Sequence, residues 1–146
     1  MNKRVLKICW SSWQNESRDK RELSACRELG LDSMVMTEGD HSDWFRQDEV
    51  AGFPVCRFST RPSKKLVPSK RLVPYRVDRF VSVFTWAWCA RKLKPMAISG
   101  HDIRGLAIGW LSTIGLPKER KPVLIYDSHE FELGRNAKRS NVSCFL

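Results

Sequence analysis

Residues Met96-Ala97-Ile98-Ser99, followed by Gly100-His101-Asp102, decide the fold that we predict. The first four are a short apolar strand, and the next three are a loop at its end. Apolar residues then recur at helical spacing over 103–114, until Pro117 ends the pattern. A further strand, Val123-Leu124-Ile125-Tyr126, is apolar throughout. Strand, helix and strand in this order indicate a parallel pair of strands joined by a helix.

The same alternation precedes this unit. A β-rich strand over 5–10 is followed by a helix that Gly30 is placed to end, with Asp19 and Glu22, or Ser17, as its cap. Short strands are predicted at 33–36 and 55–58, and 37–54 is predicted to be a loop with one short helix at most. A second helix buries an apolar stripe at i, i+3, i+4, i+7 and i+11, namely Val77, Phe80, Val81, Phe84 and Trp88.

The predicted fold class is α/β: a Rossmann-like open parallel sheet with helices on both faces. In such sheets ligands bind beyond the carboxyl ends of the strands. That rule selects three loops, 11–17, 100–102 and 127–130. Two of the three histidines, His101 and His129, lie in these loops, each beside a carboxylate.

Three segments carry a resemblance to a known family. They are Ser17-Arg18-Asp19-Lys20-Arg21-Glu22, Ser99-Gly100-His101-Asp102-Ile103-Arg104-Gly105-Leu106, and Leu124-Ile125-Tyr126-Asp127-Ser128-His129-Glu130. Together they resemble the N-terminal domain of family-4 glycosyltransferases, which have the GT-B fold. The resemblance covers residues 4–133 and implies one acceptor-side Rossmann-like domain over 1–133.

The chain also departs from that family. Ser11-Ser12-Trp13-Gln14 has no glycine where the family often has a glycine-rich loop, and Ser99 replaces the first histidine of an H-x-H-D element. The C-terminal domain that binds the nucleotide sugar is not in this sequence. Residues 134–146 match nothing expected there, so we predict a disordered or frameshifted tail of a truncated chain.

The resemblance implies an enzyme that moves a sugar from a nucleotide-sugar donor to a hydroxyl of a glycan or lipid-linked acceptor, in the biosynthesis of cell-surface polysaccharide. Without its second domain the chain is expected to be inactive. The implied catalytic residues are His101 and Asp102, although His101 as a structural histidine and Asp102 as a helix cap remain alternatives.

The predicted substrate-binding residues are of two kinds. Ser11, Ser12, Trp13 and Gln14 lie in a polar loop before a helix N-terminus, a natural site for an anion, although Trp13 as a packed aromatic is an alternative. Asp127, His129 and Glu130 would line the acceptor cleft, with loop capping by Asp127 and packing of His129 as the alternative.

No cofactor and no metal are expected. His101, Asp102, His129 and Glu130 do not have a recognised metal-ligand spacing. The five cysteines include no C-x-x-C pair and are predicted to be small buried thiols. No G-x-G-x-x-G follows the first strand, which argues against a dinucleotide-dependent oxidoreductase.

The positive charge of the chain is concentrated in one stretch. The formal net charge is +10, and residues 57–79 contain eight basic residues against Asp78 alone. The predicted membrane or anion surface is Arg61, Lys64, Lys65, Lys70 and Arg71. Three interpretations stay open: a solvated loop, an anionic membrane surface and nucleic acid. With no uncharged run of spanning length, the chain is expected to be cytoplasmic, peripheral at the inner membrane face.

Two other functions compete with the glycosyltransferase. One is a non-catalytic remnant or interaction module, and the other is a basic nucleic-acid-binding domain, although no recognition motif accompanies the basic stretch.

Overall fold

A computed structural model describes residues 3–10, 17–39, 45–59 and 75–127, with only the backbone described for 75–80. The strands are β1 (Arg4–Cys9), β2 (Asp32–Gly39), β3 (Phe45–Val50), β4 (Phe53–Ser59), β5 (Ala97–Gly100) and β6 (Val123–Tyr126). The helices are α1 (Ser17–Glu28), α2 (Tyr75–Leu93) and α3 (Ile103–Thr113), with a 3₁₀ turn at Lys118–Arg120.

The strands form one six-stranded sheet in the order β3-β4-β2-β1-β5-β6. All neighbours are parallel except β3 and β4. This confirms the α/β fold class and the Rossmann-like arrangement. Because the chain runs from β1 to one side of the sheet and then crosses back to β5 on the other side, the carboxyl ends of β1 and β5 flank a topological switch point.

Side chains of β1 alternate between two cores, as the period of a strand requires. Leu6 and Ile8 pack with α2 and α3, whereas Cys9 packs with Leu23 of α1 and with Val35 of β2. Helix α1 therefore covers one face of the sheet, and α2 and α3 cover the other. Helix α1 ends as predicted at Gly30, which adopts φ +72°.

The predicted loop over 37–54 is wrong. Strand β2 continues to Gly39, and β3 pairs antiparallel with β4 across a two-residue turn in which Ala51 and Gly52 both have positive φ. The side chains of β3 are mostly exposed. An edge strand with polar side chains lacks the apolar pattern by which a sequence reveals a strand. The backbone hydrogen bonds that join β3 to β4 leave no pattern in the sequence, so β3 was not predicted.

The predicted apolar face of α2 is also wrong where its side chains are described. Val81, Phe84 and Trp88 of α2 are 60%, 59% and 60% exposed, because α2 meets the sheet through Trp86, Ala87 and Ala90 instead. Helix α3 likewise buries Gly105, Ile108 and Gly109, while Trp110 is 57% exposed. Both helices thus have apolar residues on more than one side.

Four of the five cysteines lie among the described residues, and all four are free thiols. Cys9 and Cys56 are buried as predicted, whereas Cys26 and Cys89 are half-buried. None of the helices in residues 17–28, 75–93 and 103–113 has the length and apolarity needed to cross a membrane.

Candidate functional site

A buried lysine stands at the centre of the sheet. Lys7 lies in the middle of β1 and is fully buried, with its side chain on the face covered by α1. Its ammonium Nζ lies 2.8 Å from Asp127 Oδ2, 2.5 Å from Glu22 Oε2 and 3.2 Å from Asp19 Oδ1. One cation therefore gathers carboxylates from the first helix and from the end of the last strand. We call these four residues the Lys7 cluster.

The Lys7 cluster keeps its lysine charged. Burial lowers the pKa of Lys7, but hydrogen bonds to Asp127 and Glu22 and the charge of Asp19 outweigh it, so the pKa lies above its ordinary value. A charge in this position is stable only when hydrogen bonds satisfy it. Glu22 and Asp127 accept hydrogen bonds from Lys7, and Asp19 adds an ion pair.

Asp19 links the Lys7 cluster to a histidine. This fully buried carboxylate lies 3.1 Å, through Oδ2, from Nδ1 of His101, and it accepts a hydrogen bond from the Cys9 thiol at 3.3 Å. Burial raises the pKa of Asp19, whereas the His101 hydrogen bond and the positive charge of Lys7 lower it more strongly, to about 2. Asp19 is therefore ionised at neutral pH.

The ionised Asp19 determines which nitrogen of His101 carries a proton. A carboxylate only accepts hydrogen bonds, so His101 Nδ1 must donate to it. In the neutral ring, Nε2 is then left as a hydrogen-bond acceptor. The His101 side chain keeps 13% of its surface exposed at the carboxyl end of β5.

A tight turn holds His101 in place. Its backbone N–H donates to Ile8 O at 3.0 Å, which ties the turn to β1. A Cβ on the preceding Gly100 would lie 2.4 Å from Leu106 N, and a Cβ on Gly105 would lie 2.5 Å from Ile8 O. Glycine at both positions therefore permits α3 to approach the sheet closely, directly behind His101.

Asp102 is a helix cap, which was the alternative to its predicted catalytic role. Its Oδ1 accepts a hydrogen bond from Gly105 N at 2.6 Å, and the residue caps α3. Asp19, and not Asp102, orients the imidazole of His101. Asp19 is also not the helix cap that the sequence predicted, because α1 begins at Ser17 and Asp19 turns inward to Lys7.

Two further polar side chains join this network. Ser99, which replaces a histidine of the resembling family, donates to Glu22 Oε1 at 3.2 Å. Asp127 binds Arg18 at 3.1 Å through its second oxygen, and its backbone N–H donates to Gly100 O at 2.9 Å. Asp127, predicted to contact substrate, thus lies in the same assembly as His101.

The other predicted site residues lie outside the described residues. This holds for the substrate-binding candidates Ser11, Ser12, Trp13, Gln14, His129 and Glu130. It holds equally for the basic candidates Arg61, Lys64, Lys65, Lys70 and Arg71. Their roles stay predictions.

Two groups of potential metal ligands occur in the described part of the chain. Asp19, Glu22 and Asp127 surround a position that the Lys7 ammonium already fills. Cys9, Asp19 and His101 form the other group. Burial and the charge of Asp19 raise the pKa of the Cys9 thiol, so Cys9 acts as a donor to Asp19. The charge of Lys7 explains why the three carboxylates lie together. The contacts of Asp19 with Cys9 and His101 explain the second group.

Lys7, Asp19 and Glu22 were not predicted as partners of the site. One signal was available: a lysine inside an apolar central strand must find carboxylates when it is buried. Its partners come from positions as far apart as 19 and 127, which no local pattern connects.

Comparisons of the sequence with models of protein families, with curated proteins and with solved structures give no match.

Proposed function

We propose that this chain forms the acceptor-side domain of a glycosyltransferase, which moves a sugar from a nucleotide-sugar donor to a hydroxyl acceptor. One observation carries the proposal. The three segments that resemble family-4 glycosyltransferases are far apart in sequence, yet Asp19, His101 and Asp127, one from each, lie in a single hydrogen-bonded assembly. That assembly lies where open α/β sheets bind their ligands.

The chemistry of His101 fits this role. Glycosyl transfer passes through an oxocarbenium-like transition state, in which the acceptor hydroxyl must be oriented and relieved of its proton. With Nδ1 donating to Asp19, Nε2 of a neutral His101 can accept a hydrogen bond from that hydroxyl. The Asp19 carboxylate would stabilise the ring if it gained a proton.

In this proposal each residue has a separate task. His101 contacts the acceptor, and Asp19 is a positioning residue that fixes the tautomer of His101. Lys7 holds Asp19, Glu22 and Asp127 together, and its charge helps to lower the pKa of Asp19. The donor site, the donor sugar and the stereochemical course belong to groups beyond these residues.

The proposal is tested by sugar transfer from radiolabelled nucleoside-diphosphate sugars to glycan and lipid-linked acceptors, with the protein expressed from its complete coding sequence. His101→Ala is expected to lower turnover at least about 100-fold, the effect typical of a lost acid–base group. Asp102→Asn is the matched control, since asparagine also caps helices and turnover should stay near the parent value.

The variant Asp19→Asn tests whether Asp19 positions His101 or only stabilises the fold. It should lower turnover and also shift the ¹⁵N resonances of His101 away from the Nδ1–H tautomer. Absence of transfer to every acceptor, or a His101→Ala variant within twofold of the parent, would remove His101 and this function from consideration.

A further inference from the structure

The opposite end of the sheet carries a second surface, formed by the amino ends of the strands. Backbone hydrogen bonds join the first residues of neighbouring strands there, from Asp32 N to Lys3 O, from Met96 N to Arg4 O and from Val123 N to Met96 O. Since α2 and α3 both end at this side, their last turns and the segment after α3 lie beside these strand starts. None of these residues belongs to the Lys7 cluster.

This end is rich in exposed basic side chains. They come from the last turn of α2, from the residue that follows it, and from the 3₁₀ turn with its neighbour. The set is Arg91, Lys92, Lys94, Lys118, Arg120 and Lys121, with Glu119 as the acidic residue among them. Arg91 donates to Ile114 O at 2.8 Å and so connects the end of α2 to the end of α3.

An exposed apolar groove adjoins two of these charges, Arg91 and Lys92. Helices α2 and α3 form it, and its walls include Phe84, Trp88, Leu111 and Ile114, with Arg91 at its edge. Phe84, Trp88 and Ile114 are each at least half exposed. The Lys92 ammonium lies 5.1 Å from the centre of the Trp88 ring, so a cation and an aromatic side chain share one patch.

We infer that the α2–α3 groove and the basic residues beside it form a docking surface for an anionic lipid bilayer. Charge complementarity favours this partner: six exposed cations suit a surface of anionic headgroups, to which each Lys or Arg adds attraction. Phe84 and Trp88 suit a bilayer but could equally stack on nucleic-acid bases. The half-exposed Ile114 in the same groove favours the bilayer, because an aliphatic side chain enters the headgroup region but does not stack on bases.

This inference is independent of the proposed function, since it uses no residue of the Lys7 cluster. It also concerns residues other than the predicted basic stretch at 61–71. The bilayer would lie against the amino ends of the strands and against α2 and α3, leaving His101 at the far end of β5 away from the lipid.

The test is cosedimentation of the chain with vesicles of phosphatidylcholine alone and with vesicles that also contain phosphatidylglycerol. Binding to the anionic vesicles only, weakened by salt, is expected. The double variant Lys118→Gln, Lys121→Gln should lower the partition coefficient about 30-fold, since each lysine near such a surface contributes about a factor of five. The matched control Lys20→Gln, Arg21→Gln removes the same charge from α1, on the other face of the sheet, and should bind like the parent.

A second measurement tests the apolar contact. Brominated lipids should quench the tryptophan fluorescence of the parent, and Trp88→Phe should remove most of that quenching. Failure to bind anionic vesicles, or equal losses in the α1 control, would overturn the inference. So would tight binding to a single-stranded oligonucleotide without lipid binding, or self-association through Trp88 in sedimentation velocity.

Discussion

Arg4 and Lys7 lie three residues apart on β1, yet one charge is partly exposed and the other is fully buried. Arg4 is near the amino end, where its guanidinium pairs with Asp32 at 2.7 Å and both side chains remain partly exposed. Lys7 is fully buried and holds three carboxylates. Water already solvates Arg4, so its ion pair adds little to stability. Lys7 is shielded from water, and the three carboxylates of the Lys7 cluster take the place of water around its ammonium group.

The largest expected difference between Lys7 and Arg4 is in their contribution to the free energy of unfolding. Lys7→Met removes the only described cation within 4 Å of Glu22 and leaves three carboxylates facing one another, so the free energy of unfolding should fall by about 3–5 kcal/mol. Arg4→Met should cost at most about 1 kcal/mol. Urea unfolding of the two variants measures both. Equal losses would mean that burial does not distinguish these charges.

A second contrast uses glycines at the two ends. Gly105→Ala places a Cβ 2.5 Å from Ile8 O, a backbone atom that cannot turn aside, and should cost about 3 kcal/mol. Gly115 at the amino end has φ +73° and no described atom within 4 Å of an added Cβ, so Gly115→Ala should cost only about 1 kcal/mol of backbone strain. Thermal unfolding compares them, and the reverse order would show that α3 does not lie as close to β1 as described.

The third contrast is in pH dependence. The pKa of Asp19 is lowered from 3.8 to about 2 in the folded state. The folded state therefore binds this proton less readily than the unfolded state. The resulting stabilisation, about 2 kcal/mol, is present above pH 4 and is lost as the pH falls toward 2.

Urea unfolding of the parent and of Asp19→Asn across this range isolates the effect. The difference between them should shrink toward low pH. Asp32→Asn, at the exposed pair with Arg4, serves as the control and should run parallel to the parent. A constant difference between the parent and Asp19→Asn would show that Asp19 is not held ionised.

The sequence contained enough to predict the parallel sheet and most of its elements, because apolar strands such as 123–126 and the glycine at 30 act locally. It could not reveal β3, because the mostly exposed and polar side chains of this edge strand lack an apolar alternation. It also misassigned the buried side of α2, because residues on several sides of that helix are apolar and only the sheet decides which side it covers.

Some residues of the candidate site could likewise be predicted from the sequence, and others could not. The position of His101 and Asp102 after a strand end, where parallel sheets bind ligands, was predicted from the apolar strand that precedes them. The assignment of Asp102 to the α3 cap required the geometry of the first turn. Asp19 stayed hidden for a different reason: its spacing to Glu22 matches a capping box, and only the position of Lys7 shows that both carboxylates turn inward.

The Lys7 cluster also has a consequence for how the chain is made. Lys7 leaves the ribosome 120 residues before its hydrogen-bond partner Asp127. Until then the central strand carries an ammonium group with an incomplete set of partners, which favours keeping it in water. The ion pairs of this central strand are therefore completed only after a segment 120 residues further along has been made, so newly made chains depend on contacts of very long sequence separation.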